Sequence, residues 1–144
     1  MNNRHRHLPP ETPAAFTSEP GPTGIVLDVS KSPIQFGIKP LVEVDGRPMP
    51  NLPWGVSHIP ALPGYHSVTV SFSQLGVAYG PAHTIVPVTE GRTTRVYYRS
   101  PIERYTAGAI GPHPRATPGM AAVYVAAILT IMIVLAAVVM FSVR

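Results

Sequence analysis

Polar and apolar residues alternate with a period of two through much of the chain from Gly24 to Ser100, and at Met120 this gives way to an uninterrupted apolar run. A period of two predicts strands, because successive side chains of an extended chain point to opposite faces. The clearest case sets His66, Val68, Val70 and Phe72 on one side and Ser67, Thr69, Ser71 and Ser73 on the other. One face is core and the other is water. Ile25, Leu27 and Val29 share a face of an earlier strand, and Phe36 with Ile38 begins a second after the break at Pro33. Leu41 to Val44 runs into Asp45-Gly46, where glycine takes the positive φ that a tight hairpin turn requires. Trp54 to Ile59 is a strand bounded by Pro53 and Pro60, and Leu62-Pro63-Gly64 turns the chain again. Val77 to Tyr79 is a short strand, Ala82 to Val88 another with a bulge or edge position at Pro87, and Thr89 to Arg92 a turn. Thr93 to Arg99 closes the series. About seven short strands over residues 24–100 predict a mainly β fold, a small antiparallel β-sandwich.

The apolar run, Met120 to Val143, predicts one transmembrane α-helix at the C-terminal end. At ~1.5 Å per residue it is roughly 36 Å long, enough to cross a hydrocarbon core of about 30 Å. Thr130 and Ser142 are its only residues without a mainly apolar side chain, and both hydroxyls can bond back to a helical carbonyl. Thr117 is placed to cap the helix and Pro118 to occupy its first position. Between sandwich and span, residues 101–119 carry several prolines and glycines and read as a tether. Residues 1–23 are proline-rich with a single aromatic, Phe16, and read as a disordered arm that cannot bury enough surface to offset its ordering entropy.

Composition narrows this picture. Eighteen prolines and twelve glycines disfavour long soluble helices. The net charge of +4 is too diffuse for a nucleic-acid face, so no nucleic-acid partner is expected, and it suits a protein near anionic lipid. With no cysteine there is no thiol or disulfide chemistry. The opening residues are basic but carry no apolar stretch behind them, and Arg99, Arg104 and Arg115 precede the span while only Arg144 follows it. Both features predict a single-pass, tail-anchored protein of the plasma (inner) membrane with its N-terminal domain in the cytoplasm.

No catalytic residue, cofactor or metal site is expected. Asp28, Glu43, Asp45, Glu90 and Glu103 are single acids without a second carboxylate at a spacing that tunes a pKa, and no serine sits in a nucleophile elbow. His5 and His7 could clip a metal, but the neighbouring Arg4 and Arg6 repel one; the bland reading is a solvated basic arm. His58, His66 and His83 would make a three-histidine site only if their strands adjoin; otherwise His66 caps its turn and the other two face solvent. Trp54 is either the plug of a thin core or an exposed docking aromatic.

Val44-Asp45-Gly46, Leu62-Pro63-Gly64-Tyr65-His66-Ser67-Val68-Thr69-Val70 and Val86-Pro87-Val88-Thr89-Glu90-Gly91-Arg92-Thr93 together resemble the repeated phrase of PEGA-type β-sandwich domains. The likeness covers Leu41 to Val96, in one copy and without that family's own four-letter motif. A single such module followed by one span is similar to small actinobacterial membrane proteins. The resemblance implies a binding or structural module and supplies no catalytic residues.

Two surfaces carry the functional expectations. On the last strand Thr93, Arg95, Tyr97 and Arg99 share a face, and Arg104 follows; this stripe is either an ordinary solvated face or a lipid-surface contact made by Arg95, Tyr97, Arg99 and Arg104. On the span, Ala122, Ala126, Thr130 and Ala137 lie on about the same side, where small residues let a second helix approach closely. The expected partners are membrane lipids and a membrane protein or a second copy of the chain. The expected function is a non-catalytic, membrane-anchored interaction module, an accessory or scaffold subunit of a larger membrane assembly. The alternative is an autonomous β-sandwich that binds a lipid surface or a small ligand.

Overall fold

The computed structural model describes residues 15–103 and 105–143. In chain order its elements are β1 (Ser18–Pro20), β2 (Gly24–Ser30), β3 (Lys39–Val44), β4 (Arg47–Met49), β5 (Gly55–Pro60), β6 (Gly64–Gln74), β7 (Val77–Val88), β8 (Arg92–Arg99), β9 (Ala109–Gly111) and α1 (Met120–Ser142). The strands form two sheets, one ordered β1-β8-β2-β5 with β9 also on β8, the other β4-β3-β6-β7. The core lies between them. Ile25, Leu27 and Val29 of β2, Ile59 of β5, and Val96 and Tyr98 of β8 face Val42 and Val44 of β3, Val68 and Val70 of β6, and Val86 and Val88 of β7. The period-two alternation thus sets which side chains are buried, as a two-layer sheet architecture requires. Trp54 packs against this core half-buried and donates its indole N–H to the Ile38 carbonyl at 3.0 Å, so it serves the fold.

Several expectations are corrected. Phe36 and Ile38 do not begin a strand: residues 33–38 form a loop, closed by a Gln35 N–H to Ser32 carbonyl bond and by Gly37 at φ 67. Phe36 is exposed, and the Ile38 carbonyl is taken by Trp54 instead of a ladder partner. The two short strands expected at 77–79 and 82–88 are one strand, β7, with a register shift between Val70/Phe72 of β6 at which β7 contains Gly80-Pro81. Gly80 has φ 59, the left-handed conformation of a glycine bulge, so the strand bends and continues. The ladders are antiparallel except β2–β8, which run parallel with Leu27 opposite Val96.

Both segments expected to lack structure contribute a strand. Ser18–Pro20 pairs with Arg92 to Thr94, inside the expected arm of residues 1–23, of which 1–14 lie outside the described residues. Ala109–Gly111 pairs with Tyr97 to Arg99, inside the expected tether of 101–119. The shared cause is β8: with β2 on one side, its other edge leaves N–H and C=O groups that short flanking segments satisfy in turn.

The tether is also folded back. The Ile102 N–H donates to the Pro118 carbonyl at 3.1 Å, returning the chain to the end of β8 just before α1 begins. Gly108 sits against Tyr98, and its N–H joins the Tyr98 hydroxyl on the Gly80 carbonyl, at 3.2 and 2.7 Å. The helix start also differs from expectation. Gly119, at φ 86, is the N-cap and no side chain caps the helix; Thr117 instead accepts the Met120 N–H through its backbone carbonyl. No residue of α1 is buried against the domain.

Candidate functional site

Among the described residues the most tightly organised polar group lies at the turn between β3 and β4. Asp45 and Gly46 both have positive φ, 52 and 72, the pattern of a two-residue hairpin turn whose twist matches its strands. The turn aims the Asp45 carboxylate at β6: one oxygen accepts the Ser67 N–H at 2.8 Å and the other meets His66 Nδ1 at 2.7 Å. His66 Nε2 lies 2.6 Å from the Leu62 carbonyl. His66 therefore ties the Leu62-Pro63-Gly64 turn to the Asp45-Gly46 turn. The hydrogen bond from His66, then that from Ser67, holds the Asp45 carboxyl below its ordinary value. The Asp45 bond, followed by the Leu62 carbonyl, raises His66. Both ring nitrogens are occupied, so this pair staples turns and offers no open general base.

The other histidines have separate partners. His58 Nε2 is 3.4 Å from the Pro22 carbonyl, and His83 Nε2 is 2.9 Å from the Ser67 hydroxyl. His58 belongs to one sheet and His66 and His83 to the other, so the three are not brought together. His5 and His7 lie outside the described residues.

On β8 the two expected faces alternate from Thr93 to Arg99. Thr94, Val96 and Tyr98 are buried, while Arg95 is exposed and Tyr97 and Arg99 are half-exposed on the opposite face. Arg95 is held more firmly in its charged form by hydrogen bonding with Tyr97 and by the charges of Glu19 and Asp28. Asp28 is opposite Tyr97 in the parallel ladder. Arg115 joins the group: the Arg99 side chain donates to its carbonyl at 3.3 Å, and its guanidinium lies over Gly111, where a Cβ would be 2.6 Å from Nη2. Asp28, Ser30, Tyr97, Arg99 and Arg115 border a shallow recess of about 80 Å³. Arg104 lies outside the described residues. The arrangement is a basic, aromatic surface with two acids at its margin. Arg115 was missed as a member because its place depends on the fold-back through β9.

On α1, Ala122, Ala126, Thr130 and Ala137 fall within an arc of about 80° at 100° per residue. Thr130 donates to the Ala126 carbonyl at 2.9 Å and Ser142 to the Val138 carbonyl at 2.9 Å, which satisfies both hydroxyl donors within the helix. Thr130 thus contributes small size to this face. α1 is long and apolar enough to cross a membrane.

No protein-family model, curated protein or solved structure matches the chain.

Proposed function

We propose that this protein is a non-catalytic, membrane-anchored interaction module whose β-sandwich is held at the cytoplasmic face of the plasma membrane as an accessory or scaffold subunit of a larger assembly. The observation that carries this reading is α1: it is apolar on every side, has no residue buried by the domain, and gathers Ala122, Ala126, Thr130 and Ala137 on one face. In lipid such a face gains close packing with a second helix that bulky aliphatic faces do not. The PEGA-like reading rests on the sequence resemblance alone; of its three segments, the Asp45–His66 contact joins the first two.

The test is purification of the full chain in mild detergent, with and without Ala122→Leu and Ala126→Leu. These changes keep the span hydrophobic and fill the groove. We expect a stoichiometric membrane partner, or a second copy, with the native chain and its loss with the double variant. A monomer in both cases contradicts the proposal. It would favour the second reading, an autonomous lipid-binding sandwich, which draws on the exposed Arg95, Tyr97 and Arg99 face.

A further inference from the structure

The two ends of the sandwich present different residues in the same kind of turn. Asp45-Gly46 (φ 52 and 72) joins β3 to β4 at one end, and Leu75-Gly76 (φ 53 and 81) joins β6 to β7 at the other. A left-handed first position favours Asn, Asp or Gly, and leucine there is disfavoured. Leu75 is also 99% exposed. Backbone preference and hydration both oppose this residue, and such breaches of local rules concentrate at functional surfaces.

Leu75 has company. Phe36 is 77% and Tyr105 82% exposed, and Ile34 and Val77 are about half exposed. Lys39 is opposite Ser73 in the β3–β6 ladder, which sets the 33–38 loop beside the Leu75 turn. Ile34, Phe36, Gln74 and Ile102 border one cleft of about 210 Å³. Ile102 is the residue whose N–H holds the Pro118 carbonyl, so the cleft lies at the root of α1. Tyr105 stands edge-on to Tyr79 at 6.1 Å, and Tyr79 is 5.8 Å from the buried Phe72.

These tips are held in place. The Gln35 side chain donates to the Pro101 carbonyl at 2.6 Å and accepts from the Ser100 hydroxyl at 2.7 Å, while the Ser32 N–H donates to that same hydroxyl at 2.9 Å. Lys31 and Lys39 flank the loop, both exposed, and Arg99 ends β8; Glu103 is the acid among the described residues of 31–39, 73–79 and 99–105. At the opposite end Leu62 and Tyr65 are exposed too, but they share that end with Asp45, Arg47 and Glu90.

We propose that the helix-proximal end of the sandwich is a lipid-docking surface, with Phe36, Leu75 and Tyr105 seated in the interfacial layer of the bilayer and Lys31 and Lys39 at its phosphates. The proposal rests on α1 spanning that bilayer. The root of the span then fixes which end of the domain meets lipid, aromatic side chains take the level where rings are favoured, and the cations meet headgroup charge. The domain stands end-on. Arg99 reaches the headgroups, and Arg95, four residues up β8, lies about 13 Å further out at ~3.3 Å per residue.

The native chain has no cysteine, so single thiols report cleanly. The full chain carrying Phe36→Cys, Leu75→Cys, Glu90→Cys or Leu129→Cys, each labelled with an environment-sensitive fluorophore, is reconstituted into phosphatidylcholine–phosphatidylglycerol vesicles. The vesicles contain lipid nitroxides placed either near the headgroup or deep in the acyl chain. Shallow nitroxide should quench positions 36 and 75 several-fold more than position 90, and deep nitroxide should quench 129. Quenching at 36 and 75 no greater than at 90, with 129 still quenched, overturns the docking surface and leaves the span intact. Absence of deep quenching at 129 overturns the span and the docking surface with it.

Discussion

Replacing Tyr98 with alanine is expected to destabilise the sandwich by about 3–5 kcal/mol, the range for removing a large buried ring from a packed core. Tyr98 is 1% exposed, and its hydroxyl donates to the Gly80 carbonyl at 2.7 Å, with Gly108 packed against its ring. The ring therefore holds three things together: the core, the β7 bulge and the fold-back that leads to α1. A small domain has a total stability of about 5–15 kcal/mol, so this loss removes a large share of it. Tyr98→Phe keeps the ring and leaves the Gly80 carbonyl its bond from Gly108; its expected cost is about 1 kcal/mol. The check is a thermal melt of the full chain in detergent followed by the fluorescence of Trp54, the chain's single tryptophan. Similar melts for the alanine and phenylalanine variants would show that the ring is not what carries the core.

The second large effect is expected at His66. His66→Ala removes the bonds to the Asp45 carboxylate and the Leu62 carbonyl and separates two turns. Loss of roughly one net hydrogen bond lowers the melting temperature of a domain this size by about 4–8 °C. The pair also gives stability a pH dependence. His66 is raised in the folded state, so its contribution is complete below its ordinary value of 6.5 and is lost as pH rises through the folded value. Asp45 is lowered, so its contribution is present above its ordinary value of 3.8 and is lost as pH falls through the folded value. Between these limits the staple is at full strength. Melting temperature should therefore fall as pH rises above about 6.5 in the native chain and change less in His66→Gln. Equal slopes for the two chains would remove the ion pair from the account.

What was legible in the sequence is what local pattern controls. The alternation from His66 to Phe72 fixes the buried face of β6, and Asp45-Gly46 is a turn because glycine and aspartate tolerate the left-handed backbone found there. The β8 face was equally readable, since burial of Thr94, Val96 and Tyr98 follows from period two. What escaped depends on partners distant in the chain. β1 and β9 are three residues each and acquire strand geometry from the edge of β8. Gly80-Pro81 resembles a strand break in any local reading, yet a bulge carries β7 through it. Phe36 and Ile38 have strand composition, but the Gln35 and Trp54 bonds pin that segment as a loop. The meeting of Arg115 with Arg99, and of Ile102 with Pro118, becomes visible only once the expected tether is seen to return.

The central claim is that one span holds the sandwich at the inner face of the membrane, and accessibility of single cysteines in intact cells tests it most directly. Glu90→Cys lies in the exposed β7–β8 turn, at the end of the domain away from α1, and a second variant carries a cysteine following Arg144. With a membrane-impermeant maleimide, the account predicts labelling of the second variant in intact cells and labelling of Glu90→Cys only after permeabilisation. Labelling of Glu90→Cys from outside intact cells would contradict it.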